Sequence, residues 1–297
     1  MIKQEEICFH PITLKDRAWY IKHVEEDYLE ACDHTFACSY VWKEKNGVEI
    51  AEIANCVVAR YASESDLHCS FPIGGTREDK VRAIRILEEY GKQMGKRLRF
   101  LPITGKQRLI LNEEFHGEFE IISYREYSDY LYHTVTLAEL KGKKLSGKRN
   151  YIHRFMQNSN WEYEPMTETA IEECWQLELE WLQNKEGTVN ENADDIYSKE
   201  NIDSGCRGID GMIQAEKLAL RNALDHFHEL GLIGGVLRLN REVVAFAIGE
   251  ELNPDTMVVH FEKARTDVVG AFQMINQQFV LHECKGYAYV KIVSNEL

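Results

Sequence analysis

The sequence predicts an α/β protein of the α+β type: two tandem copies of one small fold, each a mixed, largely antiparallel sheet flanked by helices. Two observations carry the prediction. A short apolar run that ends in Pro and turns directly into a helix occurs twice, at Pro11-Ile12-Thr13 and at Pro165-Met166-Thr167. A strand, glycine turn, long helix, glycine and strand then follow in each half, with 27 residues from His68 to Gly95 and 26 from His260 to Gly286. Weak identity with matched spacing is what tandem copies of one fold leave behind. The length of 297 residues suits two domains of roughly 100–200 residues each.

Taken in order, the first copy opens with a strand to Pro11, then Thr13 as N-cap of an amphipathic helix. Tyr40–Trp42 and Val48–Tyr61 read as antiparallel strands, with Asn46-Gly47 as a hairpin turn. A strand at Leu67–Ser70, the Gly74-Gly75 turn, a long helix, Gly95 and a strand complete the core, and the stretch to Leu137 is long enough for another helix and strand. The second copy repeats the opening from Trp161. It then offers three β-rich runs separated by turn signals at Asn240-Arg241 and Asn253-Pro254-Asp255, the strand that contains His260, and a long helix after Gly270. The predicted domains are 1–134 and 135–297, with a basic linker helix at 141–157. The second copy ends where its last strand begins, so the expectation is a truncated copy with an exposed edge strand.

The formal charge of −14, from 49 acidic and 35 basic residues, argues against indiscriminate coating of polyanions, though a local basic site remains open. The first residues lack the apolar core of a secretion signal. The longest strongly apolar runs, such as Val243–Ile248, fall far short of the roughly 20 residues a bilayer crossing needs. A cytoplasmic protein with no transmembrane segment is expected. The eight cysteines form no CxxC pair and the histidines no ligand pattern, so no metal site is predicted.

The motifs sharpen the reading. Asp33–Lys43 (DHTFACSYVWK), Phe71–Gly75 (FPIGG), Gly142–Phe155 (GKKLSGKRNYIHRF) and His260–Phe279 (HFEKARTDVVGAFQMINQQF) resemble the bacterial family related to the soluble C-terminal domain of phosphatidylglycerol lysyltransferase. The order of elements resembles the GNAT acyltransferase fold in two copies. The resemblance implies transfer of an acyl or aminoacyl group, from acyl-CoA or aminoacyl-tRNA, to an amine or hydroxyl on a small molecule or lipid headgroup. The competing expectation is a non-catalytic tandem GNAT-like protein that binds a ligand or partner.

The resemblance implies that the carrier's phosphates lie against a helix N-terminus where two strands splay, since free amides and the helix dipole favour an anion there. In the second copy that selects Val268, Val269, Gly270 and Ala271, with Arg265 close by and Asp267 as a competitor. In the first copy it selects Gly74–Arg77. An ordinary capped helix start is the alternative at both. An acceptor amine must lose a proton, which calls for a general base. Strand alternation sets His260, Glu262 and Ala264 on one face. Glu262 is the expected base and His260 the second choice, against a structural glutamate paired with Arg265 or Lys263, or a buried histidine.

The segment 141–154 is basic and free of acids. Lys143, Lys144, Lys148, Arg149 and Arg154 are candidates for phosphate or tRNA, with Ser146 as a cap, unless the segment is only a solvated linker. Residues 184–208 lack periodicity and read as a long loop, either an ordered lid or a disordered segment.

Overall fold

The computed structural model describes residues 7–25, 27–123, 128–186 and 209–293. The chain divides into two compact units, 1–124 and 125–297.

The first unit contains β1 (His10–Pro11), α1 (Arg17–Val24), α2 (Phe36–Val41), α3 (Lys43–Asn46), β2 (Glu49–Ile53), β3 (Cys56–Tyr61), β4 (Leu67–Cys69), α4 (Arg77–Gln93), β5 (Leu98–Phe100) and α5 (Gly105–Phe115). Its sheet runs β1-β2-β3-β4-β5, antiparallel except for the parallel β4–β5 pair that α4 connects. Ala83, Ile84, Leu87 and Gly91 recur at helical spacing along α4 and are buried, and Ala83 and Leu87 share a core with Ala51, Ile53, Val58 and Leu67 of the sheet.

Two expectations for this unit change. Tyr40 lies in a helix, not a strand. Thr35 caps α2 by accepting a bond from the Cys38 N–H at 3.1 Å, and all six residues of α2 are buried. A helix that is apolar all round shows no 3.6-residue period in its sequence. Gly47, at φ +54°, ends α3 rather than turning a hairpin; the tight turn is Ala54-Asn55, at φ +50° and +63°, between β2 and β3.

The second unit contains β6 (Tyr130–His133), α6 (Thr134–Glu139), α7 (Ser146–Phe155), β7 (Trp161–Pro165), α8 (Glu168–Glu186), α9 (Ile209–Asp225), α10 (Phe227–Leu230), β8 (Ile233–Leu239), β9 (Glu242–Asn253), β10 (Thr256–Ala264), α11 (Ala271–His282) and β11 (Tyr289–Ile292). From β7 to β11 the pairings repeat those of the first unit, three antiparallel and then one parallel pair joined by a helix. The predicted turns hold: Asn240 and Arg241 both take positive φ, and the Asp255 N–H bonds the Asn253 side chain at 3.0 Å. The fold is therefore two mixed, largely antiparallel sheets flanked by helices.

The domain boundary moves, and the exposed edge disappears. Tyr130–His133, which the sequence reading gave to the first domain, pairs antiparallel with Tyr289–Ile292. β6 thus covers the outer edge of the last strand, so ladder groups expected to face solvent are bonded. Helices α6, α7 and α11 share one core with the sheet, including Leu137, Ile152, Phe155, Ala247, Val259, Met274 and Phe279. Helices α8 and α9 take the opposite face, where Lys263 of β10 meets Glu216 of α9 at 2.6 Å. The expected loop 184–208 lies outside the described residues from 187 onward, and residues 184–186 continue α8.

Candidate functional site

Strand β10 changes partners along its length. Thr256–Val259 pair with β9 on one side and with Tyr289–Ile292 of β11 on the other. Phe261–Ala264 remain paired with Ala245–Ile248 of β9, and among the described residues no strand pairs with them on the β11 side. Val259 is the last residue of β10 paired with β11, and Glu262 lies beyond it on the strand.

Glu262 faces α11. It is 5% exposed and accepts a bond from the Asn276 side-chain amide at 3.0 Å through Oε2. Its Oε1 is buried with no hydrogen-bond partner. A carboxylate in an apolar layer loses its hydration, which favours the protonated form. Burial raises Glu262 to about 7, against the smaller opposing pull of the Asn276 bond and the Lys148 charge. Neither expected structural pairing forms: Lys263 bonds Glu216, and Arg265 bonds Asp267 at 2.8 Å. Asn276, 8% exposed, was missed from sequence. The available signal was an amide on the apolar stripe of α11, spaced three and four residues from Phe279 and Val280.

His260 does not share the site. The ladder slips between Val259 and Phe261, and a bulge breaks the two-residue alternation on which the expectation rested. His260 Nε2 lies 2.8 Å from Glu250 Oε1. Glu250 pairs with Val258, whose neighbours Met257 and Val259 belong to the core beneath α11. The histidine is therefore turned to the other face of the sheet from Glu262.

The helix tip is more closed than a phosphate cradle requires. Gly270, at φ +84°, is the N-cap of α11, and a Cβ there would collide with the Tyr151 carbonyl oxygen of α7. The glycine thus answers a left-handed backbone and a close helix contact. Gly270 and Ala271 are buried, Val268 is half-buried and Val269 is exposed. Arg265 turns toward α8, where it lines a cavity of 350 Å³ with Leu177, Glu180, Trp181, Thr266 and Asp267. In the first unit, the Gly74 N–H donates to Asp27 at 2.6 Å, and Thr76 and Asp79 form a capping box at the start of α4. The chain's own carboxylates occupy amides that the sequence reading offered to a phosphate.

The basic segment divides by role. Lys143 and Lys144, in a 3-10 turn, and Lys148 and Arg154, on α7, are exposed. Arg149 instead donates to the Leu140 and Gly142 carbonyls, at 2.8 Å for the latter, and so holds the chain that leaves α6. Ser146 is the first helical residue and donates to the Lys143 carbonyl at 2.8 Å rather than capping.

Among the described residues, no group of three or more His, Cys, Asp or Glu could hold a metal ion, and no helix is long and apolar enough to cross a membrane. The family profile described as phosphatidylglycerol lysyltransferase, C-terminal, matches residues 28–294. A conserved protein of unknown function from Bacteroides thetaiotaomicron VPI-5482 is 31% identical, over 96% of this chain and 89% of its own, with a TM-score of 0.81. L-PGS from Bacillus licheniformis superposes with a TM-score of 0.61 at 14% identity, over 97% and 80%. FemX does so with a TM-score of 0.51 at 8% identity, over 96% and 88%. The last two likenesses are of fold alone. Among curated proteins, none matches.

Proposed function

The chain belongs to the family of phosphatidylglycerol lysyltransferase C-terminal domains, and from that membership we propose that it moves an aminoacyl group from aminoacyl-tRNA to a hydroxyl or amine of a small molecule or lipid headgroup. A fold of the aminoacyl- and acyltransferase type follows from the family directly. The donor, the acceptor and the residues that act are our reading.

The observation that carries it is Glu262: a buried carboxyl on β10, held by one amide, with its other oxygen unbonded and its pKa raised to about 7. A base poised near neutrality combines a useful ionised fraction with the strength to take a proton. In the proposed step the acceptor oxygen or nitrogen attacks the aminoacyl ester carbonyl carbon, and Glu262 takes its proton as the new bond forms. The tetrahedral intermediate then expels the carrier ribose oxygen, which receives that proton, leaving a new ester or amide and free tRNA. Lys143, Lys144, Lys148 and Arg154 supply positive charge for the carrier backbone. They favour tRNA over acyl-CoA as donor, and a tRNA donor implies reaction in the cytoplasm.

The test is transfer of labelled amino acid from charged tRNA to vesicles that contain phosphatidylglycerol, or to a soluble amine, with acetyl-CoA as the rival donor. Transfer that falls about 10²–10⁴-fold in E262Q supports the reading. Absence of transfer from any charged tRNA, or an E262Q enzyme as fast as the parent, refutes it.

A further inference from the structure

The cations around α7 differ from the one just before them. Lys141 is paired with Glu139 at 2.9 Å. Lys143, Lys144, Lys148 and Arg154 are exposed and enter no ion pair among the described residues, in a chain whose formal charge is −14. Uncompensated positive charge gathered on one segment of an acidic protein suits an anionic partner.

Exposed aromatic surface is set among these charges. Tyr151 of α7 is 46% exposed and Phe272 of α11 is 40% exposed. They come together because the two helices touch: a Cβ on Gly270 would collide with the Tyr151 carbonyl oxygen, and Phe272 is two residues beyond that glycine. Lys148, Tyr151 and Arg154 recur every third residue on one side of α7, about 4.5 Å apart along its axis. The Arg154 guanidinium lies 6.0 Å from the centre of the Tyr151 ring, the outer limit of a cation–π contact.

Cation and ring thus alternate along the helix. An unpaired nucleic-acid strand alternates phosphate and base, and such strands are held by aromatic rings beside a cationic track. A bilayer asks for the opposite arrangement, apolar side chains on one face and charges on the other. The position relative to Glu262 points the same way. Phe272 stands one turn before Asn276, whose amide holds Glu262, and Lys148 is near enough for its charge to act on that carboxyl. In an aminoacyl-tRNA the reacting ester sits on the ribose of the terminal, unpaired nucleotide, so an ester presented to Glu262 brings the last bases beside these rings.

We infer that Tyr151 and Phe272 form a stacking platform for the unpaired 3′ end of an RNA, with Lys148 and Arg154 on its phosphates. The choice of RNA rests on the carrier reading above, and the platform extends that reading by giving the end of the carrier to two uncharged rings.

The experiment is fluorescence anisotropy on the full chain with two RNA hairpins that are not aminoacylated, one blunt and one with a short unpaired 3′ extension. The parent is expected to bind the extended hairpin about tenfold or more tightly than the blunt one. Y151A/F272A, which shortens two exposed side chains and whose folding circular dichroism checks, is expected to erase that preference and leave binding of the blunt hairpin unchanged. Y151L/F272L, apolar but without rings, is expected to lose the preference too. The platform is refuted if the extension adds nothing in the parent or if either double variant keeps the preference. It is also refuted if Y151A/F272A instead loses binding to phosphatidylglycerol vesicles, which assigns the face to a bilayer. A parent that prefers the extension through these rings yet transfers nothing from any charged tRNA keeps the platform and overturns the transfer reading alone. Transfer that needs Glu262 but proceeds in Y151A/F272A with the parent's KM for charged tRNA overturns the platform alone.

Discussion

Asn276 on α11 holds Glu262 on β10 by a 3.0 Å bond inside an apolar layer, so this buried acid is ordered by a neutral amide, and the Lys148 charge offsets its burial only in small part. The carboxyl is 5% exposed and its other oxygen is unbonded. Its ionised form is the costly one.

That cost fixes a pH dependence of stability. The folded-state pKa of about 7 stands above the ordinary 4.5, so the folded protein holds its proton to higher pH than the unfolded chain. Stability attached to that proton is complete below pH 4.5, declines as pH rises to about 7, and is constant beyond. Between pH 5 and 8 the parent is expected to lose roughly 2–3 kcal/mol relative to E262Q, whose amide does not titrate. Urea unfolding of both proteins across that range measures it; parallel curves refute it.

The same acid sets a pH–rate profile. Activity is expected to rise as Glu262 ionises, with a midpoint near the value of about 7 to which burial raises it. Asn276→Leu removes a bond to the charged form, worth about 1–1.5 kcal/mol, and is expected to move the midpoint upward by about one pH unit. A lower plateau with an unmoved midpoint would mean that Asn276 only packs.

Much of this architecture was legible in the chain because the repeat preserves spacing: both units place their parallel pair around one long helix, α4 or α11. Three things were not legible, each for a physical reason. The ownership of Tyr130–His133 is decided by a pairing across more than 150 residues of sequence, and no local pattern encodes it. The bulge that separates His260 from Glu262 leaves no mark in a run of apolar and charged residues. At Gly270, a glycine suited to phosphate approach and one required by helix contact look the same until Tyr151 is seen against it.

Gly270→Ala follows from that contact. The substitution meets a φ of +84° and a backbone oxygen that cannot move without its helix, and it is expected to cost about 2–4 kcal/mol. Gly286→Ala is the control. Its φ is +106°, but nothing lies within 4 Å of the added Cβ, so only backbone strain of about 1–2 kcal/mol is expected. Thermal melts of the two variants should rank them in that order; equal losses would remove Tyr151 from the explanation.

Arg149 and its basic neighbours should separate in a binding experiment. Arg149 donates to the Leu140 and Gly142 carbonyls, so Arg149→Met is expected to lower stability by about 1–2 kcal/mol and leave the salt dependence of tRNA binding nearly unchanged. Lys143, Lys144, Lys148 and Arg154 are exposed. Exchanging all four for Gln is expected to spare stability and flatten the slope of log K against log salt by about 3, because each phosphate contact releases counterions. Filter binding of charged tRNA from 50 to 200 mM salt reads the slope, and urea melts read the stability. A quadruple variant with the parent's slope would show that this face meets no phosphate, and the tRNA donor would lose its electrostatic support.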